Sequence, residues 1–333
     1  MTSARTSPGL LGAPRFALLD GPSPLQRLPR LSAALGGGVE IWIKREDLLP
    51  VAFGGNKLRN LEYLVGAAIE DGAEAIVTSG RRWSNHCRLT AAAGARAGLD
   101  VHVVLTGPPN AAARGPRLDK LLGATVHWAA TADRSERAEL VRRVLERLNA
   151  DHKKPYEIPT GGSSITGALG QVDAAFELDD QANALGVTFD AVIVPTATGG
   201  TQAGLLAGLR SRGAATSVIG FTVAHPAVEL RPTIEALLSE LGPRLGTTVS
   251  KDEIELDNGE LGEGYGEPSE AARIAARQLA RTEGLFVDPI YTAKALAGLG
   301  TRVRGGHLTG KRVVFWHAGG LPSLFEPGLE EEQ

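Results

Sequence analysis

Ala191-Val192-Ile193-Val194-Pro195-Thr196-Ala197-Thr198-Gly199-Gly200-Thr201-Gln202-Ala203-Gly204 is the stretch on which the reading of the fold turns. Its apolar run reads as a strand buried on both faces, as in a parallel sheet covered by helices. The glycine turn then opens an apolar helix. Backbone N–H groups at such a helix start, with no side chain in the way, form an anion site, and Thr198 and Thr201 add hydroxyls. A dinucleotide needs a strict glycine fingerprint and an acid about twenty residues on. Gly199, Gly200 and Gly204 do not match it, and Val218–Val223 ends without an acid. No Gly-Lys-Ser/Thr follows, which excludes a Walker loop. A monophosphate suits the loop better, although the segment alone also serves as a plain strand-to-helix turn.

The same alternation recurs outward along the chain. Ile41-Trp42-Ile43, Ala75-Ile76-Val77-Thr78, Val101–Leu105, Thr125–Trp128, Val218–Phe221 and Val313–Trp316 read as strands with helical patterns between them. This predicts an α/β fold of open parallel sheets with helices on both faces, whose ligands bind at the carboxyl ends of the strands. Residues 1–38, rich in Pro and Gly, read as an irregular arm, and 243–268 as a long glycine- and acid-rich connection. Breaks at the turn before Lys57 and at Asp151–Tyr156 divide the chain into a large domain, 1–57 with 160–333, and a small one, 58–159.

Ala52-Phe53-Gly54-Gly55-Asn56-Lys57 places a lysine where a tight turn meets a helix whose apolar positions Leu58, Leu61, Val65 and Ala68 share one face. The chain holds only eight lysines among 35 basic residues. An amine that must lose its proton to attack an aldehyde has to be lysine, because arginine stays protonated. The helix start favours the neutral amine. A surface lysine at a helix start is the plain alternative.

Ser84-Asn85-His86 follows one strand and precedes a helix, so Ser84 is placed at an N-cap. In the functional reading Asn85 bonds a cofactor phenol oxygen and Ser84 offers a hydroxyl to the substrate. His86 reads as packing, with no carboxylate partner evident, and no histidine has metal-ligand spacing. Tyr265, within Gly264-Tyr265-Gly266, closes the long connection.

Composition excludes other classes. The net charge of −3 gives no reason to expect nucleic acid or an anionic membrane. Cys87 is the only cysteine, so neither a disulfide framework nor a thiolate metal cluster is expected. No segment reads as a signal peptide or a membrane span, and a cytoplasmic enzyme without a metal is the expectation.

From about Pro24 to Phe325 the chain resembles the D-cysteine desulfhydrase and 1-aminocyclopropane-1-carboxylate (ACC) deaminase family of pyridoxal-phosphate enzymes. The residues that carry the likeness are Ile43-Lys44-Arg45-Glu46-Asp47-Leu48, Gly54-Gly55-Asn56-Lys57-Leu58-Arg59, Ser84-Asn85-His86, Pro159-Thr160-Gly161-Gly162-Ser163, Gly199-Gly200-Thr201-Gln202-Ala203-Gly204, Gly264-Tyr265-Gly266, Asp288-Pro289-Ile290-Tyr291 and Gly319-Gly320. The resemblance implies a fold type II enzyme with its cofactor in the cleft between two domains, and a homodimer is expected with it. It implies that Lys57 binds the cofactor aldehyde and moves the α-proton, that Asn85 holds the 3′ oxygen, and that Thr198, Gly199, Gly200 and Thr201 hold the phosphate. Ser84, His86, Tyr265 and Tyr291 are placed on the substrate side. The expected substrate is then a small β-thio amino acid, with ACC, or cysteate or another β-substituted amino acid, as the alternative substrate, and a binding protein that keeps the fold without turnover as the non-enzyme alternative.

Three departures bear on specificity. Thr292 stands where ACC deaminases carry glutamate, which favours the desulfhydrase side. Ala318 stands where desulfhydrases carry threonine, so a contact near the pyridine ring is expected to be either missing or replaced, with Thr292 as the candidate to supply it. Arg81-Arg82-Trp83 replaces a small-Ile-Gln segment. Trp83 is expected to reshape the substrate pocket, and a neighbouring arginine to bind an extra anionic group, with a solvent-facing pair as the plain alternative.

Overall fold

The structure, a computed structural model, describes residues 6–107, 109–110, 112–131 and 133–326. A short antiparallel pair, β1 (Ser7–Pro8) and β2 (Pro14–Arg15), precedes β3 (Leu25–Arg27), α1 (Pro29–Leu35) and β4 (Glu40–Arg45). Then come α2 (Lys57–Glu70), β5 (Ala75–Arg81), α3 (Asn85–Ala97), β6 (Asp100–Thr106), α4 (Arg114–Leu121), β7 (Thr125–Ala129), α5 (Arg134–Ala150) and β8 (Pro155–Glu157). The remainder is α6 (Ile165–Leu185), β9 (Ala191–Thr196), α7 (Gly200–Ser211), β10 (Ser217–Thr222), α8 (Ala227–Arg244), β11 (Glu255–Asp257), α9 (Glu270–Glu283), α10 (Thr292–Arg304) and β12 (Arg312–His317).

Two sheets result. One has the order β11-β10-β9-β12-β4-β3, parallel except for the β3 edge; the other, β7-β6-β5-β8, is parallel throughout. Side chains alternate along each strand, which explains why both faces must be apolar. On β9, Val192 and Val194 join the core under α6, α7 and α8, while Ala191 and Ile193 join that under α1, α9 and α10. On β5, Ala75 and Val77 meet α5, while Ile76 meets α2 and α3. The parallel α/β reading therefore holds.

Two segments are more regular than their composition predicts. The first 38 residues contribute a sheet edge and a helix, because Leu28 and Leu31, three apart, pack an apolar face against Ile41 and Ile43. The connection 243–268 contains β11, which extends the large sheet beside β10. With one apolar residue in Glu255-Leu256-Asp257, it has no alternation to read. No helix among the described residues is long and apolar enough to cross a membrane.

Candidate active site

Both sheets feed one cavity, a concave space of the kind small-molecule sites occupy. Gly80 and Arg81 reach it from the carboxyl end of β5, Pro195 and Thr196 from that of β9, and Ala318 and Gly319 from just beyond β12. The first turns of α2, α3 and α7 end on it with Lys57, Asn85 and Thr201. Three helix N-termini impose positive potential, and no Asp or Glu is among the described residues lining the wall. The cavity is electrostatically suited to an anion.

The turn that delivers Lys57 is strained. Ala52 and Phe53 both have left-handed backbone (φ 45° and 65°), as do Gly54 and Gly55. A Cβ on Gly54 would lie 2.2 Å from the Asp47 carbonyl oxygen, so only glycine fits there. Left-handed geometry at two non-glycine residues costs about 1–3 kcal/mol each and persists only where the surroundings enforce it. Buried Arg88 on α3 supplies that enforcement. Its guanidinium donates to the Ala52 carbonyl and, at 3.4 Å, to that of Gly54.

A second clamp lies beneath α2. Arg59, two residues after Lys57, donates from Nε to Glu46 Oε2 (2.6 Å) and from Nη1 to Glu177 Oε2 (3.0 Å). Lys44 donates to Glu177, to Gln181 Oε1 (2.6 Å) and to the Ser23 carbonyl (2.8 Å). The polar run after Ile43 is thus the buried anchor of the turn rather than a solvated loop. Gln171 on α6 completes it, donating to the Asn56 carbonyl at 2.9 Å.

The Lys57 amine is 3.5 Å from Thr201 Oγ1, which also accepts from Asn56 Nδ2 at 3.0 Å. With both contacts donating to it, the Thr201 hydroxyl keeps its own proton for a ligand oxygen. Burial of the Lys57 amine lowers its pKa to about 8, so a substantial neutral fraction exists near neutrality.

Ser84 caps α3, accepting from Cys87 N–H at 3.2 Å, and retains its hydroxyl proton for the cavity. Asn85 Oδ1 accepts from Arg88, which leaves the Asn85 amide NH₂ to donate inward. The tautomer of His86 follows from its partner. Thr78 gives its single hydroxyl proton to the Ile158 carbonyl (2.8 Å), so His86 Nε2, 2.9 Å from Thr78 Oγ1, is the donor there. His86 Nδ1 is then a bare acceptor, buried with no protein partner. Burial and, to a lesser degree, the nearby Lys57 charge push the His86 pKa down to about 3, so the ring stays neutral.

At the α7 start, Gly200 N–H donates to Ser163 Oγ at 3.2 Å, and Ser163 Oγ lies 2.6 Å from Thr198 Oγ1. A Cβ on Gly200 would approach Ser163 Oγ to 2.7 Å, so glycine is needed for this loop to close. Tyr265 and Tyr291 join the wall with their hydroxyls 2.5 Å apart, and burial raises both pKa values. Asp288 holds the second of them through the Tyr291 N–H (2.6 Å).

The structure thus gathers Lys57, Ser84, Asn85, His86, Thr198, Gly199, Thr201, Tyr265 and Tyr291 around one space, with Gly200 just behind it. Two expectations are corrected. Thr292 is fully buried with its hydroxyl on Asp288 and does not line the cavity, because it serves the α10 start. Trp83 is not on the wall either. It stands edge-on behind Tyr265 (centroids 6.1 Å apart, 80°), and Gly266 makes room for it. Of the neighbouring arginines it is Arg81 that lines the cavity, while Arg82 stacks on Trp83. Sequence reasoning missed Arg88, Gln171 and Arg137. Arg88 alone left a signal, three residues after Asn85 on one helix face.

These residues fit pyridoxal phosphate: an aldehyde-reactive amine, a glycine cradle at a helix start, an inward amide and a bare buried acceptor share one cavity. Comparison with known proteins agrees. A family model described as pyridoxal-phosphate dependent enzyme matches residues 16–319. The D-cysteine desulfhydrase of Salmonella newport (strain SL254) is 39% identical over 323 residues, spanning 94% of this chain and 95% of that protein. A crystal structure of an ACC deaminase homologue superposes with a TM-score of 0.87 at 33% identity, over 94% of this chain and 93% of the other. A pyridoxal 5'-phosphate-dependent aspartate racemase superposes with a TM-score of 0.67 at 19% identity, over 90% of each chain, which is a likeness of fold alone.

Proposed function

The chain belongs to the pyridoxal-phosphate-dependent enzyme family, and from that premise we propose a lyase that performs α,β-elimination on a small β-thio amino acid of the D-cysteine kind. The overall reaction converts cysteine and water into pyruvate, ammonia and hydrogen sulfide. The observation that carries the reading is Lys57: it is the one lysine among the described residues lining the cavity, and burial makes it a weak base with a pKa of about 8.

When bound, pyridoxal phosphate supplies an electron sink that stabilises negative charge on the substrate α-carbon. The protein decides which bond breaks. The neutral Lys57 amine takes the α-proton, which a lysine at its ordinary pKa would seldom do near neutrality. Asn85, oriented by Arg88, donates to the cofactor's ring oxygen, and the α7 start with Thr198 and Thr201 holds the phosphate. The Ser84 hydroxyl and the α3 N-terminus bind the substrate carboxylate. Tyr265 and Tyr291, protonated and sharing a hydrogen bond, are positioned to give a proton to the departing sulfur. Included in the proposal are a division of the chain into 1–57 with 160–333 and 58–159, a homodimer and a cytoplasmic location.

Incubation of purified holoenzyme with each enantiomer of cysteine, assayed for pyruvate and sulfide, tests the reading, with ACC and 2-oxobutanoate as the parallel arm. Pyruvate and sulfide from cysteine are expected. Efficient 2-oxobutanoate release from ACC without pyruvate from cysteine overturns it in favour of ring-opening deamination.

A further inference from the structure

Two arginines at the cavity mouth have no role in the chemistry above. Arg81, at the end of β5, and Arg137, in the first turn of α5, line the inner cavity and also an outer basin with about 900 Å³ of empty space. Tyr265, Thr160, Ala197 and Thr198 are shared by both spaces, so the basin opens onto the reacting centre.

Neither guanidinium has a carboxylate partner among the described residues, whereas Arg134 beside them pairs with Glu229 at 3.3 Å. Arg81 instead lies over the rings of Tyr265 (5.5 Å to the centroid) and Trp83 (5.9 Å), which fixes its direction. Arg137 is half-buried, and its pKa is lowered chiefly by desolvation and, as a smaller effect, by the charges of Arg134 and Arg81. A basic residue in the first turn of a helix also opposes the helix dipole. Two partly desolvated, mutually repelling cations kept at a cavity mouth are stabilised by an anion placed between them, and the guanidinium fork matches sulfonate and carboxylate geometry.

We propose that Arg81 and Arg137 form an anion subsite for the substrate side chain, so that the enzyme takes amino acids whose β-substituent carries a second negative charge. The inference rests on the lyase reading and names its substrate class: alanines bearing at Cβ a sulfonate, or a thioether that ends in a carboxylate. For the sulfonate, the Cα–H and Cβ–S bonds break. The electron pair of the C–S bond leaves with sulfur as sulfite, and water completes conversion of the remaining fragment to pyruvate and ammonia. No oxidant or reductant is required.

The test uses holoenzyme with cysteate and S-carboxymethylcysteine against cysteine and S-methylcysteine, in both enantiomers. Binding is read from the cofactor absorption band and turnover from pyruvate. The parent is expected to bind and turn over the anionic pair at least tenfold better. R81Q and R137Q should each lower the ratio of anionic to neutral kcat/KM by roughly tenfold or more, mainly through KM. Their cofactor dissociation constants should stay within about threefold of the parent's. A rise in cofactor dissociation constant with an unchanged substrate ratio would assign the arginines to the cofactor phosphate and overturn the proposal. Pyruvate from cysteine with no preference for anionic side chains overturns the subsite and leaves the lyase reading standing. Tight cysteate binding that R81Q weakens, without pyruvate from any substrate, supports the subsite and refutes the lyase reading.

Discussion

Arg88→Leu separates positioning from packing. Arg88 is 3% exposed and donates to the Ala52 and Gly54 carbonyls of the lysine turn and to Asn85 Oδ1. A hydrogen bond from a charged donor contributes about 1.5–3 kcal/mol, so the three together are worth about 4–9 kcal/mol. Desolvation works against them. It pulls the Arg88 pKa from 12.5 to about 10, with Asp119 as a smaller opposing influence, which corresponds to about 3 kcal/mol. The balance places the loss of stability at about 1–6 kcal/mol, a span that contains the cost of removing one member of a buried charged contact. The mutant also frees the Asn85 amide to rotate and releases two strained residues next to Lys57. Cofactor affinity should therefore fall at least tenfold, about 1.4 kcal/mol. Urea denaturation measures the first quantity and titration of apoprotein with pyridoxal phosphate, followed by absorption, the second. Arg88→Lys, which restores charge without the planar fork, should lie between parent and Arg88→Leu on both. A destabilised Arg88→Leu protein that binds cofactor with the parent's affinity would show that the turn and Asn85 are set without Arg88, and the positioning argument fails.

Borohydride reduction of holoenzyme should leave the cofactor mass on the peptide containing Lys57; a label on another lysine, seen by mass spectrometry, would sink the assignment. Because the Lys57 pKa is lowered to about 8, the rate at which apoprotein captures the aldehyde should climb as pH rises through about 8 and flatten above it, rather than climbing on toward 10.5. Gly200→Asp should cost cofactor affinity more than melting temperature, since it sets a carboxylate beside the phosphate loop and presses on Ser163; equal affinity in mutant and parent would put the phosphate elsewhere. Asp119 is buried and raised from 3.8 to about 7, first by desolvation and then, to a lesser degree, by Glu326, with Arg88 opposing. A raised carboxyl contributes stability that is present below pH 4 and lost as pH climbs through about 7, a difference of at most about 4 kcal/mol. Asp119→Asn should therefore flatten the melting profile between pH 4 and 8 and raise the pH 8 value, and an unchanged profile would refute the assignment.

Much of this protein is determined by sequence alone, because its signals are local. Strands buried on both faces must be apolar at every position, so β5, β9, β10 and β12 were legible as continuous runs. Glycine turns at strand-to-helix junctions marked the cavity, because helix starts and strand ends are sequence-local features, and Lys57, Ser84, Asn85 and Thr201 all lie on them. Tertiary structure decided what depends on partners distant in the chain. Glu46, Arg59 and Glu177 become one buried network only when α6 packs on α2, and no spacing in the sequence announces that. Thr292 could be aligned with a cofactor contact, yet whether its hydroxyl turns to a ligand or to Asp288 depends on how α10 starts. Arg81-Arg82-Trp83 could be recognised as a departure, but consecutive residues leave a strand end in different directions. Only the packing of Tyr265 and Glu326 around that turn sent Arg81 to the cavity, Trp83 behind the tyrosine and Arg82 away from both.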